Sequence, residues 1–299
     1  MKNPLHYIWE YPHRSKQLLG ISYEQFLQLL AQAAERQQQR QTEMEQTKVR
    51  LNAKGGGRKP KLSLAEEVSL CLFYLRQLPT FEVLGLHFGV SKTEANDTFH
   101  YWLKILWEIL PASLLEQVER QTSDYEVVQE LLTQFELLVD STEQPRERPV
   151  DNQEQQAYYS GKKKNHTFKN QLISLPKAAD IVDVMVGEKG PTSDISLFRR
   201  QQPKFPATQG FGGDKAYVGA ERMSTPHKKP RNGELTEKQQ AENKLSSSNR
   251  IFIEHLIRLL KIFRVAKERF RLNPGTYAQV ISTVCGLVRL RIGTLILHA

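Results

Sequence analysis

The stretch SSSNRIFIEHLIRLLKIFRV, residues 246–265, has the strongest structural signal in the chain. Apolar residues occupy ten of the fifteen positions from Ile251 to Val265. That is too many for a helix with a single apolar face, and the length of the stretch favours a helix over a strand. The pattern therefore predicts a helix buried on most sides, with N-cap candidates at its start. These candidates are Ser246, Ser247, Ser248 and Asn249.

The polar residues of this helix are Arg250, Glu254, Arg258 and Lys261, spaced i, i+4, i+8 and i+11. This spacing places them on one narrow face. The simplest interpretation of Glu254 is an i,i+4 ion pair worth roughly 0.3 kcal/mol. The alternative is a metal-binding carboxylate beside bound phosphate, which requires further carboxylates upstream.

Charge favours a polyanion as the partner. The chain has 299 residues and a net charge of +9, enough length for two domains and enough charge for nucleic-acid binding. From Lys244 to Ala299 there are ten Lys and Arg against Glu254 and Glu268. Most of the excess positive charge therefore lies on either side of Glu254.

Three features bear on the cellular compartment: the cysteines, the N-terminal residues and the length of the apolar runs. Cys71 and Cys285 stand in apolar segments without zinc spacing, which favours a reducing compartment. The first residues lack the apolar region of a signal peptide, and no apolar run reaches membrane-spanning length. We expect a soluble, cytoplasmic, nucleoid-associated protein that does not bind a membrane.

The chain divides into four predicted regions: a helical region at 1–53, a basic glycine-rich linker at 54–61, a helix-turn-helix domain at 62–120 and a catalytic domain at 121–299. In the first region, the Gln-rich second half favours an exposed helix, with a coiled-coil arm or a frayed end as alternatives. The linker is either a solvated hinge or an arm along a DNA groove. In the second case, Arg58 and Lys59 contact DNA.

A helix-turn-helix pattern occupies residues 62–110. One helix ends before Pro79, the short helix FEVLGLHF follows, and Gly89 separates it from a third helix with Ser91 as the N-cap. In such motifs the N-terminal residues of the last helix reach the bases. DNA contacts are therefore predicted from Lys92, Thr93 and Asn96. An ordinary three-helix bundle is the alternative.

Strands follow the helix-turn-helix region. The segment FELLVD (135–140) is typical of a short buried strand ending on Asp140. Two further strands, at 166–175 and 181–186, follow after short turns and predict an antiparallel meander. A helix at 194–201 comes next, then Asp214 at or just after a fourth strand. The last helix, about 276–297, is expected to pack in the core with Arg289 and Arg291 at its edge.

Asp140, Asp214 and Glu254 come from separate predicted elements. Two-metal phosphoryl transfer needs acidic side chains that converge on ions about 3.5–4 Å apart, and Mg²⁺ prefers oxygen ligands. Taken singly, Asp140 and Asp214 also fit turn residues. Asp194 is a rival second carboxylate, but its position before an apolar-periodic run favours a helix N-cap.

Several motifs together resemble bacterial insertion-sequence transposases of the DDE superfamily, in the branch of insertion sequence five and the eukaryotic Harbinger elements. The resemblance covers most of the chain, and Ser141 departs from it where relatives often carry Gly. The motifs are DSTE (140–143), YYSGKKK (158–164), HTFK (166–169), GDKAY (213–217), RIFIEH (250–255), KIFR (261–264) and, more weakly, GGGRKPKLS (55–63) and FEVLGLHFGVSKT (81–93).

This resemblance implies an α/β fold with a ribonuclease-H-like mixed sheet and flanking helices, preceded by an all-α helix-turn-helix domain. It implies Asp140, Asp214 and Glu254 as the catalytic, metal-binding triad, with two Mg²⁺ ions for which Mn²⁺ substitutes. Backbone contacts to DNA are predicted from two groups of residues, of which the first is alternatively a solvated hairpin tip. These are Lys162, Lys163, Lys164 and Lys169, and Arg250, Arg258, Lys261 and Arg264.

The predicted function is a transposase that binds terminal repeats, cleaves DNA at the ends of its mobile element and transfers the strands. Its partner is double-stranded DNA, as mobile-element ends and as target. Because two ends must be cut together, a homodimer or a higher synaptic assembly is expected. The alternative is a catalytically silent, transposase-derived DNA-binding regulator. A purely structural helical protein is excluded by the predicted strands and the charge placement.

Overall fold

The structure is a computed structural model that describes residues 3–47, 60–121 and 125–297. Its helical elements surround one mixed sheet. In chain order the helices are α1 (Pro4–Glu10), α2 (Ser15–Leu18), α3 (Tyr23–Thr47), α4 (Leu64–Gln77), α5 (Phe81–Phe88), α6 (Lys92–Ile109), α7 (Leu114–Gln121), α8 (Tyr125–Leu132), α9 (Asn152–Tyr158), α10 (Asp194–Gln201), α11 (Glu237–Lys261) and α12 (Tyr277–Ile292).

Local capping defines the helices that precede the sheet. Ser22 and Gln25 form reciprocal side-chain to backbone hydrogen bonds at the start of α3, a capping box. The second half of α3 is largely exposed and is held to α6 by ion pairs from Arg36 and Arg40 to Glu108. The helix extends to Thr47, and the prediction that its Gln-rich half is exposed is confirmed as far as Gln46.

Helices α4, α5 and α6 form the predicted helix-turn-helix. Thr80 caps α5 and Ser91 caps α6, each by accepting a backbone N–H three residues ahead. The C-terminal helix α12 packs against α6. A side chain at Gly286 would place its Cβ within 2.7 Å of Leu110, so this close approach requires glycine.

The sheet combines an antiparallel meander with two parallel strands. Strand β1 pairs antiparallel with β3, and β3 pairs antiparallel with β4, as predicted. Strand β5 runs parallel to β1, and β6 parallel to β5. The order across the main sheet is thus β4-β3-β1-β5-β6, with β2 beside β3. The strands are β1 (Leu137–Pro145), β2 (Tyr159–Ser160), β3 (Asn165–Ser174), β4 (Ile181–Lys189), β5 (Phe211–Gly212) and β6 (Met223–Ser224).

Helices cover both faces of this sheet, which confirms a mixed sheet with flanking helices behind a helical region. Leu138 and Leu172 pack in the apolar cluster that contains the buried residues of α11 and α12. Val139 and Ile173 pack in a second cluster with Phe198 of α10. Successive residues of a strand point to opposite faces, so β1 divides its side chains between α11 and α10.

Several predicted positions are wrong, including the end of the last helix, which is Ile292 and not about residue 297. Strand β1 does not end on Asp140 but continues to Pro145, because β3 lies alongside its polar second half. Helix α11 does not begin at 246–249. It begins at Glu237, where Thr236 and Gln239 form a capping box. Arg289 is not at the edge of the core but fully buried within it.

The predicted helix at 194–201 has the predicted bounds, with Ser193 as its N-cap and Asp194 in the first turn. The prediction of Asp194 as the capping residue is therefore off by one position. Cys71 and Cys285 are both buried and unpaired. Within the described residues, no helix combines the length and the apolar composition needed to span a bilayer.

Candidate active site and nucleic-acid interface

Asp140 and Asp214 are brought together by two parallel strands. Leu138 of β1 lies opposite Gly212 of β5, and each aspartate stands two residues further along its strand direction. The carboxyl ends of neighbouring parallel strands meet at one edge of a sheet, where sites in α/β folds commonly lie. Gly213 lets the Tyr217 ring pack against the backbone here, because a Cβ at that position would come within 2.8 Å of the ring.

Backbone amides hold both carboxylates. Asp140 accepts a hydrogen bond from the backbone N–H of Ser141 at 2.8 Å. Asp214 accepts one from the backbone N–H of Ala216 at 2.8 Å, which caps the short turn of helix that follows it. The turn interpretation of Asp214 and the site interpretation are thus both compatible with its geometry, because one oxygen suffices for the cap.

Glu254 stands in the C-terminal half of α11, on the helix that covers the Asp140 side of the sheet. Its side chain is 52% exposed, and one Arg250 nitrogen lies 3.6 Å from its carboxylate. The predicted i,i+4 ion pair is therefore present. Ion pairs of this exposure contribute about 0.5 kcal/mol or less, so this pair adds little to the stability of α11.

The electrostatics of Asp140 show that the three acids share one region. The pKa of Asp140 is raised to about 6, mainly by burial and also by the negative charges of Asp214 and Glu254. The Ser141 N–H and the positive charge of Arg250 act in the opposite direction. A partly buried carboxylate that faces two others is repelled by both, and a cation among them removes that repulsion.

The donor set suits a hard divalent cation by its chemistry, since all three groups offer carboxylate oxygens. In the part of the chain that the structure describes, however, no three Asp, Glu, His or Cys side chains converge closely enough to ligate one ion. The acids form an open acidic edge. Mg²⁺ commonly binds through one or two carboxylates together with water and substrate phosphate, so an open edge is compatible with it.

Comparison with known proteins decides the family. A family model described as DDE superfamily endonuclease matches residues 139–289, and one described as helix-turn-helix of DDE superfamily endonuclease matches residues 60–112. The chain belongs to the DDE superfamily of endonucleases. A probable transposase for insertion sequence element IS702 from Microchaete diplosiphon is 32% identical over 236 residues, which cover 77% of this chain and 82% of the relative.

A solved structure, the Mos1 transposase paired-end complex with left transposon end, is similar over 78% of this chain and 88% of that chain. The identity is 11% and the TM-score 0.19, too low to support a statement about this fold. The assignment to the branch of insertion sequence five and Harbinger elements stays a prediction.

Cations flank the acidic edge of this DDE endonuclease. Burial, and then the positive charge of Lys163, lowers the pKa of Lys261, against an opposing effect of Asp140 and with a further lowering by Lys267. The hairpin between β2 and β3 therefore brings Lys163 towards the end of α11. Lys162, Lys164 and Arg258 are exposed.

Arg264 is exposed and lies 3.7 Å from Glu268, an ion pair too weak to withhold it from another anion. Arg250, paired with Glu254, is partly exposed. Lys267 was not among the sequence candidates. It lies beyond the helical spacing that singled out the polar face of α11, and no sequence signal marks it.

Lys169 requires a correction. It was predicted to contact DNA with Lys162, Lys163 and Lys164, but its side chain is buried. Its ammonium group donates to the Thr192 carbonyl at 2.6 Å and to Asp194 Oδ1 at 3.1 Å. The turn ends at residue 164, so Lys169 follows the strand into the sheet. We therefore do not retain it as a DNA contact.

The helix-turn-helix presents its predicted contact residues. Lys92 and Thr93 are exposed at the start of α6, and Asn96, one turn further on, is half-buried. Lys61, at the end of the basic linker, pairs with Glu94 of the same helix at 3.2 Å. Arg58 and Lys59 lie outside the described residues.

Proposed function

We propose that this chain is a DNA transposase that binds the terminal repeats of its mobile element, cleaves the DNA at those ends and joins the freed 3′-hydroxyls to target DNA. The observation that supports this most is the position of Asp140 and Asp214 at neighbouring strand ends, beside the helix that carries Glu254 and with cations on the hairpin and on α11. Family membership supports DNA as the substrate.

In this proposal Asp140, Asp214 and Glu254 hold divalent ions, namely two Mg²⁺ for which Mn²⁺ substitutes. Bound ions of this kind activate the attacking water or hydroxyl and stabilise the leaving oxygen. The half-buried Lys261 and the neighbouring Lys163 bind non-bridging phosphate oxygens and draw the backbone towards the carboxylates. Lysines act here as point charges.

Recognition and assembly follow from the same proposal. Lys92, Thr93 and Asn96 at the start of α6 contact base edges or phosphates of the terminal repeat. Because both ends must be cut in one complex, the working form is a homodimer or a larger synaptic assembly. Such an enzyme acts at the nucleoid.

The test is cleavage of a labelled duplex that carries the end of the mobile element, with Mg²⁺ or Mn²⁺ and with DNA binding followed in parallel. Three proteins are compared, namely the wild type, Glu254→Gln and Glu242→Gln. Glu242 also lies on α11 with a half-exposed carboxylate, 2.7 Å from His227, so its variant controls for charge removal from this helix. We expect the wild type and Glu242→Gln to nick at the end, and Glu254→Gln to bind without cutting.

Each outcome decides between functions. If the wild type binds the end but does not cut it with any divalent metal, a catalytically silent regulator is the better description. If Glu254→Gln cuts like the wild type, Glu254 is not part of the triad. If Glu242→Gln fails as well, the loss reflects the charge or the stability of α11 and not a specific role of Glu254.

A further inference from the structure

The residue after Asp140 points away from the acidic edge. Asp140 shares its strand face with Leu138, which packs towards α11, whereas Ser141 shares the opposite face with Val139, which packs towards α10. The Ser141 side chain therefore faces α10. Its backbone N–H donates to Asp140 Oδ1 at 2.8 Å.

On the α10 side, Ser141 enters a short chain of charged hydrogen bonds. Its hydroxyl donates to Asp194 Oδ1 at 2.5 Å, and the buried Lys169 ammonium donates to the same oxygen at 3.1 Å. Lys169 also donates to the Thr192 carbonyl at 2.6 Å, directly before the N-cap of α10. The Asp194 side chain is only 19% exposed, so these bonds are shielded from water.

Bonds of this kind restrict motion. Hydrogen bonds with an ionised partner are shorter and about twice as strong as neutral ones. This chain of hydrogen bonds joins β3, the start of α10 and β1 at Ser141, which also binds the Asp140 carboxylate. A glycine at 141 would keep the N–H to Asp140 but lose the anchor to Asp194.

We propose that Asp194, held by Lys169, is a positioning residue that acts through Ser141 to orient the Asp140 carboxylate for divalent-ion binding. The inference rests on the proposed function, because it needs Asp140 to be an ion ligand. Asp194 itself is not placed among the ligands, since its Oδ1 already accepts two hydrogen bonds on the far side of the strand.

The experiment measures Mn²⁺ binding to the DNA-free protein, from the electron paramagnetic resonance signal of unbound Mn²⁺. Asp194→Asn and Ser141→Ala are compared with the wild type, with Asp140→Asn as the reference for loss of the ligand and Ser141→Thr as a variant that keeps the hydroxyl. Partners that orient a metal ligand typically change affinity by about 10–100-fold. We therefore expect Mn²⁺ affinity to weaken about 10-fold in Asp194→Asn and Ser141→Ala and to be retained in Ser141→Thr.

Glu188→Gln is the matched control. It removes an ion pair of 2.6 Å between Glu188 of β4 and Arg200 of α10, which joins the same sheet to the same helix without contacting Ser141. We expect unchanged Mn²⁺ affinity in this variant. Single-turnover cleavage at saturating DNA should slow in Asp194→Asn and Ser141→Ala, with DNA affinity unchanged.

The two proposals fail in different ways. If the wild type binds Mn²⁺ and Asp140→Asn does not, while Asp194→Asn and Ser141→Ala bind as the wild type does, the positioning role is wrong and the proposed function stands. Equal losses in Asp194→Asn and Glu188→Gln also overturn it, because they indicate general loosening of α10. If the wild type shows no Asp140-dependent Mn²⁺ binding and no cleavage, both proposals fail. Should Asp194→Asn not fold, Ser141→Ala decides.

Discussion

Asp180 and Asp140 are two carboxylates inside the fold whose surroundings differ. Asp180 is 5% exposed and receives two hydrogen bonds of 2.8 Å from Arg289, one to each oxygen. The three remaining N–H groups of Arg289 donate to the carbonyls of Pro111 and Ser113 and to the Gln117 side chain. All five donors of this guanidinium are therefore satisfied.

Asp140 has the opposite arrangement. It receives the Ser141 N–H, and among the described residues no lysine or arginine forms an ion pair with it. Its charged neighbours include Asp214 and Glu254, which repel it, and Arg250, which attracts it without forming an ion pair. A buried charge with complete partners stabilises one arrangement of the chain, whereas one left with like charges leaves room for a cationic ligand. The difference separates a residue that joins the helix-turn-helix to the sheet from one that we propose takes part in a reaction.

The largest expected effect is on catalysis. Asp140→Asn should reduce cleavage at least on the order of 10³-fold, because it removes a metal ligand from a site whose ions supply several kcal/mol of transition-state stabilisation. DNA affinity should be unchanged or slightly higher, since a negative charge is lost. Single-turnover cleavage and an electrophoretic mobility shift measure the two quantities. A variant that cuts within 10-fold of the wild type would place Asp140 with Asp180 as a structural residue.

The second effect is on stability. Arg289→Met should lower the free energy of unfolding by about 3–5 kcal/mol, because it leaves the Asp180 charge buried without its partner. Urea denaturation measures the loss. Arg269→Met is the control: Arg269 is 61% exposed and pairs with Glu147 at 3.2 Å, and removing such a pair should cost less than about 1 kcal/mol.

The double variant Arg289→Met/Asp180→Leu sharpens this prediction. Removing both charges should recover part of the lost stability, because the unpaired charge and not the missing contact carries most of the cost. If the double variant is less stable than Arg289→Met by a further 2 kcal/mol or more, packing and hydrogen bonds at this junction outweigh the charge.

The comparison also shows what the sequence could reveal. Asp140, Asp214 and Glu254 could be selected as candidates because each follows or occupies an element with its own local pattern, and their role as a site stays a prediction. Helix α10 was predicted with the observed bounds because its apolar spacing and the cap-forming residues at its start are local signals, although the cap is Ser193 and not the predicted Asp194. Arg289 was misplaced because its partner Asp180 lies 109 positions away, and a charged residue near the end of an apolar helix is indistinguishable from a surface one until the partner is known.

Two other misses have the same origin. Lys169 was grouped with the lysines of the preceding turn, yet strand alternation and Asp194, 25 residues later, place it inside. The second half of β1 is polar, and the predicted strand ended before it, on Asp140. It forms a strand because β3 lies beside it, with Thr167 donating to Glu143 at 2.7 Å. Both misses depend on contacts with residues far away in the sequence, which local composition does not reveal.

A third prediction concerns the effect of the Asp140 carboxylate on the stability of the fold. Burial raises the pKa of Asp140 from 3.8 to about 6, so the folded protein takes up this proton more readily than the unfolded chain. The contribution of the Asp140 carboxyl to the free energy of unfolding is fully present below about pH 3.8 and is lost as the pH rises through about 6. Asp140→Asn should therefore be more stable than the wild type above pH 6, by at most about 2–3 kcal/mol at 1.4 kcal/mol per pKa unit.

The measurement is urea denaturation of both proteins from pH 4 to 8 without divalent metal. The stability advantage of the variant should shrink as the pH falls from 6 towards 4. Added Mg²⁺ should stabilise the wild type and leave the variant unchanged, because the ion binds the folded state through Asp140. An advantage of the variant that is equal at every pH would show that Asp140 does not titrate in this range.

The smallest effect tests how complete the surroundings of Asp180 are. The Thr294 hydroxyl donates to Asp180 Oδ1 at 2.9 Å, on the same oxygen that Arg289 binds. Thr294→Val keeps the shape of the side chain and removes this donor, while the two Arg289 bonds remain. The cost should be about 1 kcal/mol, since the carboxylate stays paired, and cleavage should not change. A loss approaching that of Arg289→Met would mean that Asp180 depends on all its partners together. In that case a complete set of hydrogen bonds, more than charge neutralisation, would distinguish Asp180 from Asp140.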